Sequence, residues 1–185
     1  MTKPRLAALA LCSAFALGLG TTRTNSIDTA LFVDSGEGVR VLKFDRTINA
    51  PPELVWTQLT TEAGVKRWMG VDSTVNLAIG GAYELYFNEG RGRGNKGTEG
   101  TQVLSYAPGR ILSLSWNVPT NLGQVRGLRS WVTFLIEPSP QGSTVRVVHA
   151  GFGDTPGWDK AYDYYETGWP TVLGMLKRSL EGVAD

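Results

Sequence analysis

The chain has 185 residues, 42% of them hydrophobic and 19% charged, with a formal net charge of +1. That length is enough for one domain with a sizeable core, and the composition excludes a disordered chain. The near-neutral balance argues against nucleic acid as a partner, which asks for a basic footprint, and the 23 glycines between apolar runs point to many tight turns in a β-rich fold.

Lys3 and Arg5 precede an uncharged, almost wholly apolar run from Leu6 to Leu19, and Gly18 and Gly20 stand ahead of the polar Thr21-Thr22-Arg23-Thr24-Asn25. This is the three-part pattern of a secretory signal peptide over residues 1–20. The apolar run is shorter than the roughly 18–20 residues of a comfortable membrane span; the alternative is an uncleaved N-terminal anchor. A lipoprotein would need a small residue before Cys12, where Leu11 stands. Cys12 is the sole cysteine and falls within the leader, so the exported domain would hold no disulfide, no thiolate nucleophile and no cysteine metal site. Loss of Lys3 and Arg5 would take the formal charge to about −1. The expected location is periplasmic or secreted, with no stable membrane span after cleavage.

Residues 21–38 read as a linker or an extra strand, and residues 39–185 as the domain proper. Leu42, Phe44, Ile48 and Ala50 alternate with polar positions as in a half-buried strand. Pro51 or Pro52 can open a short helix holding Leu54, Val55, Trp56 and Leu59, and Thr60 or Thr61 can cap a second one running to about Trp68. Val75, Leu77 and Ile79 then alternate up to a Gly80-Gly81 turn, followed by Tyr83, Leu85 and Phe87 and a long glycine-rich loop. Further alternation covers Thr101 to Tyr106, Leu112 to Trp116, Trp131 to Ile136 and Val145 to His149, with Pro108-Gly109 and Pro138 to Gly142 as turns. Strands spaced in this way suggest an antiparallel meander. The period then changes: Tyr162, Tyr165, Trp169, Val172, Leu173, Leu176 and Leu180 form one stripe of a long amphipathic helix. Pro170 lies inside it, which predicts a kink or a fresh start near Gly168.

The order is strand, two short helices, six strands and a long C-terminal helix. A curved sheet wrapped around that helix, with the short helices closing one end, can leave an interior hollow. Ala50-Pro51-Pro52-Glu53 with Val55-Trp56, Leu59-Thr60-Thr61, Gly64-Val65, Trp68, Gly80-Gly81 with Tyr83, Pro108-Gly109-Arg110, Thr144 to His149 with Gly151-Phe152, and Gly168-Trp169 occur in that order. In this the chain resembles the Hsp90-ATPase-activator-homology branch of the START-like superfamily (SRPBCC, polyketide cyclase, Bet v 1-like) over about residues 39–182. The resemblance implies an α+β helix-grip fold with an internal cavity, and little about chemistry, because one fold hosts binders, cyclases and chaperone regulators. An export signal is unusual for a cytosolic co-chaperone fold, and the Gly90-to-Gly97 loop is longer and more basic than the family pattern.

That loop contains Gly92-Arg93-Gly94-Asn95-Lys96-Gly97, a literal G-x-G-x-x-G. A dinucleotide site needs the motif between a strand and a helix; here a strand follows, so no nucleotide cofactor is expected. The loop reads as a mobile hairpin, or Arg91, Arg93 and Lys96 meet an anionic ligand at a cavity mouth. His149, the only histidine, shares a face with Val145 and Val147; it is the candidate general acid or base, or else a hydrogen-bonded residue of the cavity wall. Arg46 shares parity with Phe44 and Ile48 and calls for a carboxylate from the protein or from a ligand. Trp116, Phe134, Phe152, Tyr165 and Trp169 are placed to line the interior between sheet and helix, as ligand contacts or as plain core. Without a second histidine or a cysteine, no metal site of those residues is expected.

Three classes of function follow. A carrier of a small apolar molecule needs only the cavity. A cyclase, dehydratase or isomerase needs His149 paired as acid/base. An Hsp90-activating co-chaperone needs the cytosol, and falls if the leader is real. The first is the preferred reading.

Overall fold

The computed structural model describes residues 40–88 and 90–182. The leader expected at 1–20 and the linker at 21–38 lie outside the described residues. The first strand, β1 (Arg40–Ile48), is followed by α1 (Pro52–Thr60) and α2 (Glu62–Met69). Strands β2 (Asp72–Val75), β3 (Tyr83–Tyr86), β4 (Val103–Ala107) and β5 (Ile111–Asn117) come next. A short 3-10 segment at Thr120–Val125 precedes β6 (Arg129–Ser139), β7 (Gly142–Phe152) and the terminal helix α3 (Pro156–Glu181).

Five antiparallel strands form one sheet in the order β1-β7-β6-β5-β4, and β2 pairs with β3. The hairpin joins the sheet edge through backbone bonds from Tyr83 N to Thr101 O and from Val103 N to Gly81 O, both 2.9 Å. Register carries the alternation across the sheet. Leu42 on β1 and Val132 on β6 both face His149 on β7, and Phe134 lies between Val147 and Leu112. One face is therefore a continuous apolar layer, and α3 lies against it, packing on β1, β7, α2 and the 3-10 segment. Tyr165, Trp169, Leu173 and Leu176 are the buried members of the helical stripe. Among the described residues no helix is long and apolar enough to cross a membrane.

Local chemistry explains the helix ends. Thr61 Oγ1 accepts the Gly64 N–H at 3.0 Å and caps α2, as its position before Glu62 predicts. Pro52 sits in the first turn of α1, where its missing N–H costs nothing.

Two expectations are corrected. Leu77 and Ile79 do not extend β2: Ala78 N bonds Asn76 O and Gly81 N bonds Ala78 O, so the chain turns there and leaves Ile79 76% exposed. Local turn bonds outcompete a weak alternation that has no partner strand. Nor does α3 restart at Gly168; it runs unbroken through Pro170. Pro170 and Glu166 are both exposed, so water can serve the Glu166 carbonyl that loses its N–H, while Trp169 and Leu173 hold both halves of the helix on the same core.

Candidate ligand cavity

Between α3 and the sheet lies a cavity of about 420 Å³, within the range of about 300–1,000 Å³ usual for small-molecule sites. Its floor is buried and aromatic: Trp68 from α2, Tyr83 from β3, Trp116 from β5, Phe134 from β6, and Tyr165 with Trp169 from α3. Its mouth is formed by exposed residues from three segments: Phe87, Asn88 and Arg91 after β3, Asn121 after β5, and Tyr164 on α3. Phe87 and Tyr164 are 50% and 46% exposed. Gly168 also lines the cavity, and a Cβ built there meets nothing within 4 Å.

The polar atoms of the floor are mostly committed to the protein. Tyr165 Oη donates to Asn117 O at 2.7 Å and Tyr83 Oη to Leu59 O at 2.8 Å. Burial pushes both phenols well above their ordinary range. Trp68 Nε1 donates to Gln58 O at 3.0 Å. Asn117 Nδ2 donates to Glu99 O at 2.8 Å, which leaves its buried Oδ1 without a partner.

His149 stands behind this floor rather than in it. Trp169 Nε1 donates to His149 Nδ1 at 3.0 Å, and His149 Nε2 lies 2.8 Å from Ser130 Oγ. An indole N–H can only donate, so Nδ1 is the acceptor and Nε2 carries the proton. The ring is fully buried, packed on Phe152 and Tyr165 at centroid distances of 4.5 and 4.4 Å, and burial pushes its pKa down to about 3. It is therefore neutral at physiological pH with both nitrogens occupied. That arrangement favours the hydrogen-bonded residue over the general acid or base.

The other sequence candidates divide. Trp116, Phe134, Tyr165 and Trp169 converge on the cavity. Trp169 meets Phe134 edge-on at 5.9 Å and Trp116 at 6.1 Å. Phe152 belongs to a neighbouring cluster with Trp158 and Tyr162. Arg46 is on the inner face of β1 as its parity predicts, but its Nη2 reaches Pro170 O at 3.4 Å on α3, away from the cavity wall, and its buried Nε has no partner.

The glycine-rich loop is more firmly held than a mobile hairpin. Glu99 accepts the N–H groups of Gly94 and Lys96, each at 2.7 Å, and the Lys96 ammonium sits 5.9 Å from the Tyr86 ring centre. Gly97 bridges to Tyr86 so closely that any Cβ would collide with Leu85 O. Arg126 closes the loop from the other side. Its Nη2 donates to Gly97 O at 2.6 Å and Gly94 O at 3.3 Å, and its Nη1 to Val118 O at 2.6 Å. Arg126 also lines the cavity. Burial, followed by the nearby Arg129 charge, pulls its pKa below the usual arginine value. No periodicity marks the stretch between Trp116 and Trp131, so nothing in the sequence singled Arg126 out.

A curved antiparallel sheet closed over a long C-terminal helix, with two short helices after the first strand and a cavity between, is the helix-grip arrangement of START-like proteins. The family described as Activator of Hsp90 ATPase homolog 1-like protein matches residues 49–181, and the chain belongs to it. Protein MLL2253 from Mesorhizobium loti is similar in structure, with a TM-score of 0.64 and 27% identity over 79% of this chain and 100% of that one. The Aha1 dimer from Colwellia psychrerythraea has a TM-score of 0.57 at 22% identity over 77% of this chain and 96% of that one. CalU16 from Micromonospora echinospora has a TM-score of 0.56 at 21% identity over 83% and 81%. These last two likenesses concern the fold alone. None of the curated proteins matches the chain.

Proposed function

We propose that this protein binds a small, mainly apolar molecule in the cavity under α3 and acts as an exported carrier or binding protein. The observation that supports this most directly is the wall itself, a pocket floored by six aromatic residues and open at one end. Burial of apolar surface contributes about 25 cal/mol per Å², so such a floor can hold a ligand with few polar contacts. Among the described lining residues there is no carboxylate and no histidine. The described lining residues thus bring together no acid/base pair of the kind a cyclase, dehydratase or isomerase would use, and His149 is neutral behind the floor.

The export half rests on the leader pattern at residues 1–20. A tagged full-length chain is expected in the periplasmic or secreted fraction with the leader removed. Recovery from the cytosol with an intact leader would instead return Hsp90 activation, the activity in the family's description.

Gly168→Phe tests the cavity. The ring enters open space, and replacing a mid-helix glycine favours the helix by up to about 1 kcal/mol. The variant should keep or raise its thermal midpoint. It should also lose the small molecules that native mass spectrometry finds on the unaltered protein, and lose stabilisation by a hydrophobic ligand panel. Binding that survives the filled cavity would place the site elsewhere.

A further inference from the structure

Arg126 is in an unusual position for a structural arginine. It is half-buried in the wall of an apolar cavity, and its three hydrogen bonds all end on backbone carbonyls: Val118, Gly94 and Gly97. Carbonyls satisfy donors but do not neutralise a charge. Among the described residues no ion pair joins Arg126 to a carboxylate. The nearest acidic influence is Glu99, whose two oxygens are engaged by the N–H groups of Gly94 and Lys96. Arg129 adds repulsion of like sign. A second guanidinium, Arg91, stands exposed at the mouth. The charged side chains among the described lining residues are thus these two arginines alone.

Glu99 offsets part of the Arg126 charge without touching it, and a cation that has no direct carboxylate contact in a partly desolvated site gains more from an anion than it would in water. Arg126 keeps its Nε–H outside the carbonyl bonds, and a guanidinium recognises planar oxyanions well. We infer that the ligand is an amphipathic acid: an apolar body lying on the aromatic floor, with a carboxylate turned toward Arg126 and Arg91. This rests on the cavity-binding reading above and specifies its ligand class.

The test compares ligands that differ only in the head group, octanoate with octanol and dodecanoate with dodecanol, by calorimetry on the mature protein. The expected result is at least a tenfold preference for each acid over its alcohol, compressed toward equality as NaCl is raised from about 20 to about 500 mM. Arg126→Gln should bring acid and alcohol to similar affinity, Arg126→Lys should retain a preference, and Arg91→Gln should reduce it by a smaller factor. Near-ultraviolet circular dichroism reports whether each variant keeps its aromatic packing. If Arg126→Gln does not fold, the salt dependence on the unaltered protein and the Arg91→Gln variant decide. If alcohols bind and acids bind no better, the anion inference is overturned and the cavity reading stands. A preference that survives folded Arg126→Gln, or that salt and Arg91→Gln leave untouched, overturns it too. If neither member of either pair binds, the inference falls with the cavity reading on which it rests.

Discussion

His149 offers itself in sequence as an acid or base, and in the fold both of its ring nitrogens are engaged by Trp169 and Ser130. Alternation with Val145 and Val147 puts it inward, which is where it lies. What the pattern does not contain is Trp169, 20 residues later on α3, whose indole occupies Nδ1. The consequence for stability has a definite sign. The folded pKa of about 3 lies below the ordinary 6.5, so the folded state binds fewer protons between those values. Its contribution is fully present above about pH 6.5 and is lost as the pH falls toward 3, by at most about 1.4 kcal/mol per pH unit. Glu99 and Glu181, both lowered from 4.5, titrate below that value, so the interval from about pH 6.5 to 5 isolates the histidine. Urea unfolding across that interval should show stability falling with acidification, and His149→Gln should flatten the slope. A flat profile in the unaltered protein would contradict the buried neutral ring. Arg126 illustrates the opposite case: its partners Gly97 and Gly94 are 29 and 32 residues away, and no local spacing announces them.

At the level of elements, the legible parts were those fixed by neighbours in sequence. The stop at Met69 and the start after Thr61 follow from capping chemistry written within a few residues. Thr61→Ala should therefore cost about 1 kcal/mol, and up to about 2, in chemical denaturation. It removes the acceptor for Gly64 N–H and also the hydroxyl that donates to Thr57 O at 2.8 Å. The less legible parts depended on distant packing. Pro170 argued for a break, yet the helix axis is set by Trp169, Leu173 and Leu176, all buried against the sheet. Alternation through Leu77 and Ile79 argued for strand, yet β3 offers partners only as far as Tyr83↔Val75. Propensity and period describe what a segment prefers alone, and both places are where a partner, present or missing, decided the outcome.

For the whole molecule, the ordered motifs of the resemblance and the change from period two to period 3.6 together pointed to a sheet gripping a helix, because a stripe such as Tyr165-Trp169-Leu173-Leu176 has to be covered by something of matching length. A cavity was expected between them, but its lining was not legible, since a floor residue such as Trp116 and a core residue such as Phe152 look alike in sequence. Leu176, fully buried beyond the cavity end of α3, marks the close-packed half. Leu176→Ala should cost about 2–5 kcal/mol and lower the thermal midpoint far more than the cavity-filling Gly168→Phe.

The fastening of α3 also determines how any occupant comes and goes. Tyr165 ties the helix to β5 and Trp169 ties it to β7, in each case through a buried bond. Swinging the helix outward would break both at once and expose the aromatic floor to water. The opposite bank of the opening is a loop held by Glu99 and Arg126 through bonds that are exposed or part-buried, none fully buried. For the ligand proposed above, the loop side is then the expected valve, and residence time is expected to depend on the bonds at Gly94, Lys96 and Gly97. Loosening that valve would speed release while the grip of sheet on helix stayed as it was.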